Sequence, residues 1–196
     1  MIEMIYSIGL HSKSFVKRNL LPLFVAGFVV LCSFFGTILF QSITNGTESD
    51  VYQKVVYEDK EVTQVDEEIS WADIFIHNFI ILFPAILGIL SFGFISFWYL
   101  ILQGYLLGVS IFTVSQHLPL GTVLKYTVPH GIFEILAIIF LGAFAFKPSI
   151  VILSHFLFNK PFMNKRDFHD ITILFALFVI FLFIAALVEG LITPNL

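Results

Sequence analysis

The sequence predicts an all-α fold, an integral membrane helical bundle of about five transmembrane helices. Three observations carry that prediction. Of 196 residues, 58% are hydrophobic and only 12% charged, with a mean hydropathy of +0.96, too little charge to cover the surface of a soluble domain. The apolar residues fall in long runs, not in strand-like alternation, and residues 77–124 contain no Asp, Glu, Lys or Arg. That run is more than twice the ~20 residues one spanning helix needs.

The whole chain, residues 1–196, reads as a single membrane domain. The first span is expected at residues 20–40, preceded by Lys13, Lys17 and Arg18. Residues 1–12 are mixed in character and the run after Asn19 is long enough to span, so no cleavable signal segment is expected. The lone cysteine, Cys32, lies in this run and reads as a small packing residue. Residues 42–72 form an acidic loop. From Gln41 to Trp71 there are eight acids and two bases, a net charge of −6. Its VYQKVVYEDKEVTQV stretch suits a short hairpin or a solvated helix, and Asn45-Gly46-Thr47 matches a glycosylation triplet.

The second and third spans share residues 73–117, and we place them at 74–94 and 97–115. Gly93, Ser96, Trp98 and Tyr99 mark the turn, with the aromatics at an interface. A short loop at 117–127 leads to the fourth span, 129–146, with Pro129 in its first turn, where a missing N–H costs nothing. Lys147-Pro148 ends that span. Residues 147–170 form a loop holding a short interfacial or amphipathic helix at 149–158, and the fifth span covers 171–187.

Charge sets the orientation. Bases flank the N-terminus and lie between spans four and five (Lys160, Lys165, Arg166), whereas the acidic loop follows span one. Five crossings with a cytoplasmic N-terminus put both basic regions inside and the acidic loop and the C-terminus outside.

Ionisable residues inside membrane helices are costly and mark bundle interiors or functional sites. His77 and Asn78 in span two, His130 and Glu134 in span four and Glu189 in span five all fall near the outer side. Glu134 sits roughly 8 Å along its helix from Pro129, and Glu189 roughly 6 Å from Thr193. His130 and Glu134, at i and i+4, share a face. These five residues are expected to form an intramembrane polar cluster, either as hydrogen-bonded glue between helices or as a contact for a substrate, partner or ion. Two His and two acids have the donor types for zinc but lack motif spacing, so no metal is assigned. Gly104, Gly108 and Gly131 are expected at helix contacts, the first two as GxxxG, a motif that also suits self-association into a homo-oligomer.

No CxxC, HExxH, GxGxxG or phosphate-binding loop occurs, and Ser91, Ser96 and Ser110 lack a partnering base in the sequence pattern. No catalytic residue and no cofactor are expected. Nucleic-acid binding is excluded for want of a basic patch.

The stretch Pro129-His130-Gly131-Ile132-Phe133-Glu134 resembles the proline-His-Gly-x-x-Glu signature of the stage II sporulation protein M family. Ile76-His77-Asn78 is similar to the start of that family's second helix. Gln103-Gly104-Tyr105-Leu106-Leu107-Gly108 resembles its third, with Gln103 where the family usually has Asn. The closing AALVEGLITP, residues 185–194, resembles its last helix. The resemblance implies a multi-pass protein of the cytoplasmic membrane of a bacterium or archaeon, without catalysis of its own. It also implies partners. Some members scaffold peptidoglycan hydrolases during sporulation; others accompany ABC-type ATPases, including in circular bacteriocin export or immunity. Three functions follow as expectations. The first is a membrane subunit acting with an ATPase on a hydrophobic peptide, touching it through Lys147, Lys160, Lys165 and Arg166. The second is a scaffold recruiting wall hydrolases through the acidic loop. The third is a small ion or proton-coupled carrier.

Overall fold

The computed structural model describes residues 2–44 and 70–192. The acidic stretch, with its hairpin-or-helix choice and its glycosylation triplet, lies outside them. The described residues form five long helices: α1 (Ile2–Thr44), α2 (Trp71–Leu82), α3 (Phe94–Ser115), α4 (Leu120–Phe158) and α5 (Lys165–Leu187). A 3₁₀ segment, Phe83–Ile89, prolongs α2, and a π-helical turn, Val188–Ile192, prolongs α5. All five are long and apolar enough to cross a membrane, α2 together with its 3₁₀ extension. The fold is an integral membrane helical bundle.

Each start has a local cause. Ser70 caps α2 by accepting from Ala72 N, while Asp73 Oδ2 accepts from Ser70 N at 3.2 Å. Asn164 and Asp167 form the same reciprocal box at α5, with Asn164 Oδ1 accepting from Arg166 N and Asp167 N. These bonds satisfy amides that have no partner within the first turn.

The turn between spans two and three falls earlier than the sequence suggests, because Ser96, Trp98 and Tyr99, expected at the turn, lie inside α3. The α-helix gives way at Phe83-Pro84, and residues 83–93 make a 3₁₀ segment and turn ending at Gly93, whose φ of +88° favours glycine. Ser96 Oγ donates to Ala85 O at 2.6 Å, and a Cβ on Gly88 would collide with the Ser96 hydroxyl. Tyr99 OH donates to Ile81 O across the same hairpin.

Two boundaries differ from expectation. The chain from 117 to 127 is not mainly a loop, because α4 already begins at Leu120. Nor does Lys147-Pro148 end the helix. α4 runs through both Pro129 and Pro148 for 39 residues. Its environment explains this. Residues 145–149 are buried among neighbouring elements, where packing holds a helix that loses one backbone hydrogen bond at proline.

α4 is the central helix. Ala137, Ile138, Leu141, Ala143, Ala145 and Phe146 are buried, and Ala137, Ile138, Leu141 and Phe146 pack with Ala26 and Val30 of α1, Leu100 of α3, and Phe178 and Leu182 of α5. The small residues let the other helices close around it. Phenylalanines fill the α4–α5 seam, with Phe140–Phe181 rings at 5.3 Å and Phe144–Phe175 at 5.2 Å. The outward faces, such as Phe24, Phe28, Phe35 and Leu39 of α1, are exposed apolar surface suited to lipid. Cys32 lies on that exposed face and is not the packing residue its position in the run suggests.

Candidate functional site

Polar side chains gather at two levels of the bundle. At the end where α2 begins and α5 finishes, Glu134 of α4 lies near enough to Glu189 of the π turn for the two charges to interact. His130, one turn before Glu134, has a buried Nδ1 with no hydrogen-bond partner. Gly190 brings the π turn against the start of α2, where an added Cβ would sit 2.9 Å from Trp71 Cα. Trp71 also meets Phe183 edge-on at 5.6 Å. A π turn carries one more residue than an α-helical turn, so it changes the angular spacing of side chains at Glu189, and such turns are frequent at functional sites.

The other two expected members of the cluster stand differently. His77 is exposed on α2, sharing a face with Asp73, Ile76, Ile80 and Ile81. The opposite face, through Phe75 and Phe79, packs on Phe183 and Phe178 of α5. Asn78 is half-buried. His77 therefore turns away from the bundle interior. Counting residues gives its level along α2, but helical phase sets its direction. Among the described residues no three His, Cys, Asp or Glu side chains form a group able to hold a metal ion.

The second level is at the opposite end. Arg18 of α1 clasps Asp170 of α5 with both arms, Nε to Oδ2 at 2.8 Å and Nη2 to Oδ1 at 2.6 Å. Asp170 is wholly buried. Lys147 of α4 lies 3.7 Å from Asp170 Oδ2 and 3.6 Å from Asp167 Oδ1, and it donates to Arg18 O at 3.2 Å. Asn19 is fully buried beside them, its Nδ2 donating to Phe15 O. Three helices are thus tied by two cations and two carboxylates, an arrangement in which each charge has a partner.

This cluster changes the reading of Lys147. Grouped by sequence with Lys160, Lys165 and Arg166 as a partner contact, it is instead a buried residue spent within the bundle, whereas the other three are exposed. Sequence reasoning missed Arg18, Asp167 and Asp170 as a site. The available signal was a lysine at the end of an apolar run and two acids three residues apart on the next helix, charges that a low-dielectric setting forces to pair.

The glycines also separate. A Cβ at Gly104 would fall 2.6 Å from Val30 O, and one at Gly108 would fall 2.9 Å from Phe34 O. Both glycines pack α3 against α1, so within the chain this face is occupied and is not open to a second copy. Ser33 Oγ donates to Ile101 O at 2.7 Å in the same seam. Gly131, by contrast, meets no other helix. A Cβ there would touch only Thr127 Cγ2 of its own helix, at 3.8 Å. Gln103 is buried beside the α1–α3 seam.

A protein of Methanocaldococcus jannaschii, itself uncharacterized, is 30% identical to this chain over 131 residues, 66% of this chain and 74% of that protein. No solved structure matches the chain significantly. The profile of the family described as Stage II sporulation protein M matches residues 21–194, nearly the whole length and every described span. Signature, five-span bundle and profile agree, and the chain belongs to the Stage II sporulation protein M family.

Proposed function

We propose that the protein is a non-catalytic membrane subunit that acts through partners, working with a separate ABC-type ATPase to export or exclude a hydrophobic peptide. The observation that carries this reading is the filled centre of the bundle. α4 is buried at almost every position from 137 to 149, so side chains occupy the axis that a self-sufficient conduit would leave open. A frame of this kind supplies rigid surfaces and leaves chemistry to others. Its basic end faces the cytoplasm, on the bias of Lys17, Arg18, Lys160, Lys165 and Arg166, and that is the side from which an ATPase is reached. The test is purification from native membranes in mild detergent. Co-purification of an ATPase subunit supports the reading. Co-purification of peptidoglycan hydrolases, lost on deleting residues 44–68, supports the sporulation-type scaffold instead.

One observation favours a second reading, a small ion or proton-coupled carrier. Glu134 and Glu189 interact within the membrane-spanning region, and His130 keeps a buried nitrogen unpartnered beside them. Ionisable side chains inside a membrane mark places where a proton or a cation is taken up. In proteoliposomes, Glu134→Gln then abolishes flux while the protein stays assembled. No flux from the wild-type chain alone rules this reading out.

A further inference from the structure

α4 is too long for the membrane it crosses. Its 39 residues extend about 58 Å, against ~30 Å of hydrocarbon. At Lys147 it is locked to α1 and α5 by the buried ion cluster. Past that level it runs on for about 16 Å to Phe158, and α1 likewise continues past Arg18 to its start at Ile2. Leu153, Leu157 and Phe156 are exposed, Phe156 to 72% and Phe158 to 69%. These side chains are exposed yet apolar.

The overhang is nonetheless a built element. Asn159 closes the helix in the left-handed conformation. His155 Nδ1 donates to Lys160 O at 2.7 Å and its ring sits edge-on to Phe156 and Phe162. Lys160 Nζ lies 5.9 Å from the centre of the Phe158 ring. Apolar side chains and ammonium groups are thus held side by side.

The charge at this end is sorted. Asp167 and Asp170 point inward to Lys147 and Arg18. Lys17, Lys160, Lys165 and Arg166 are exposed. Among the described side chains at this end, the acids are consumed inside and the outer surface is cationic and aromatic.

We propose that this foot, the end of α4 with the 159–166 connection, binds the anionic phospholipid surface of the membrane that the bundle spans. Leu153, Phe156 and Leu157 enter the boundary between headgroups and acyl chains, and Lys160, Lys165 and Arg166 meet the phosphates. Charge complementarity favours this occupant. So does position, since the foot adjoins a bundle whose helices are long and apolar enough to span the bilayer. Apolar residues with flanking cations at a helix end are the composition that settles in an interface. Each cation contributes about fivefold to attraction for an anionic surface.

The test uses the full chain with Cys32→Ser and a spin label on Leu157→Cys, reconstituted in phosphatidylcholine with or without phosphatidylglycerol. Label depth is read from collision with oxygen against a water-soluble nickel chelate. The expected result is a label that moves from water into the acyl boundary when phosphatidylglycerol is present, and that returns toward water in high salt. Neutralising Lys160→Gln, Lys165→Gln and Arg166→Gln together removes the dependence. The salt dependence of the chain with native charges decides the matter should the triple variant not assemble. A label in water in both lipids overturns the proposal and leaves the foot to a protein partner. Equal immersion in both lipids, insensitive to salt, overturns it as well, because immersion is then apolar only.

Discussion

Arg18 and Asp170, 152 residues apart in sequence, close the bundle at one end through a two-armed ion pair with contacts of 2.8 and 2.6 Å. Because Asp170 has no exposed surface, removing either partner strands a charge. Asp170→Ala leaves Arg18 and Lys147 facing each other without a common anion. It is expected to cost about 3 kcal/mol, the lower end for a broken buried pair, since Arg18 is one-third exposed. Thermal unfolding in detergent measures this. Arg18→Lys keeps the charge but not the fork, and should cost only part of that amount.

The two kinds of glycine give a paired prediction. Gly104→Ala and Gly108→Ala press a methyl group into the α1 backbone. Each is expected to destabilise the bundle by about 1–3 kcal/mol. Gly131→Ala meets only ordinary contact with Thr127 and should be neutral, or stabilising by up to about 1 kcal/mol through helix propensity. Equal loss at all three positions would contradict the packing described for α3.

The hairpin between α2 and α3 depends on Ser96. Its hydroxyl is buried and donates to Ala85 O. Ser96→Ala leaves that carbonyl without its donor and opens a small void, at a cost of about 1–3 kcal/mol. Gly88→Ala acts on the same contact from the other side and should be worse, since the methyl group has no room. Proteolysis of the 90–93 turn in detergent reports both.

Orientation is open to direct measurement. With Cys32→Ser, a cysteine at Lys160 should resist a membrane-impermeant maleimide in intact cells and react after lysis. A cysteine at Thr44 should react in both. The reverse pattern would invert the charge-derived topology.

The spans were legible because apolar runs of this length have few other uses, and because span three ends near a proline and span five begins near a cluster of charges. Lys147-Pro148 misled for a physical reason. Before a proline the helical conformation is disfavoured, and only tertiary burial, invisible in a local window, overrides it. His77 shows the complementary limit. Its depth follows from counting residues, but its direction depends on which face of α2 the phenylalanines claim, and Phe75 and Phe79 claim the other one. The Glu134–Glu189 proximity was legible as a shared level, yet the π turn that carries Glu189 had no sequence signal beyond Gly190. The Arg18–Asp170 pair had none except chemistry, because no spacing rule links residues on helices so far apart.

The ion cluster also sets an order on biosynthesis. Arg18 emerges with the first span and Lys147 with the fourth, but both of their acidic partners reside on the fifth. Until α5 leaves the ribosome, the assembling chain carries two uncompensated cations at one end and a central helix with an open flank. Completion of the last helix is therefore the event that both neutralises and seals the bundle.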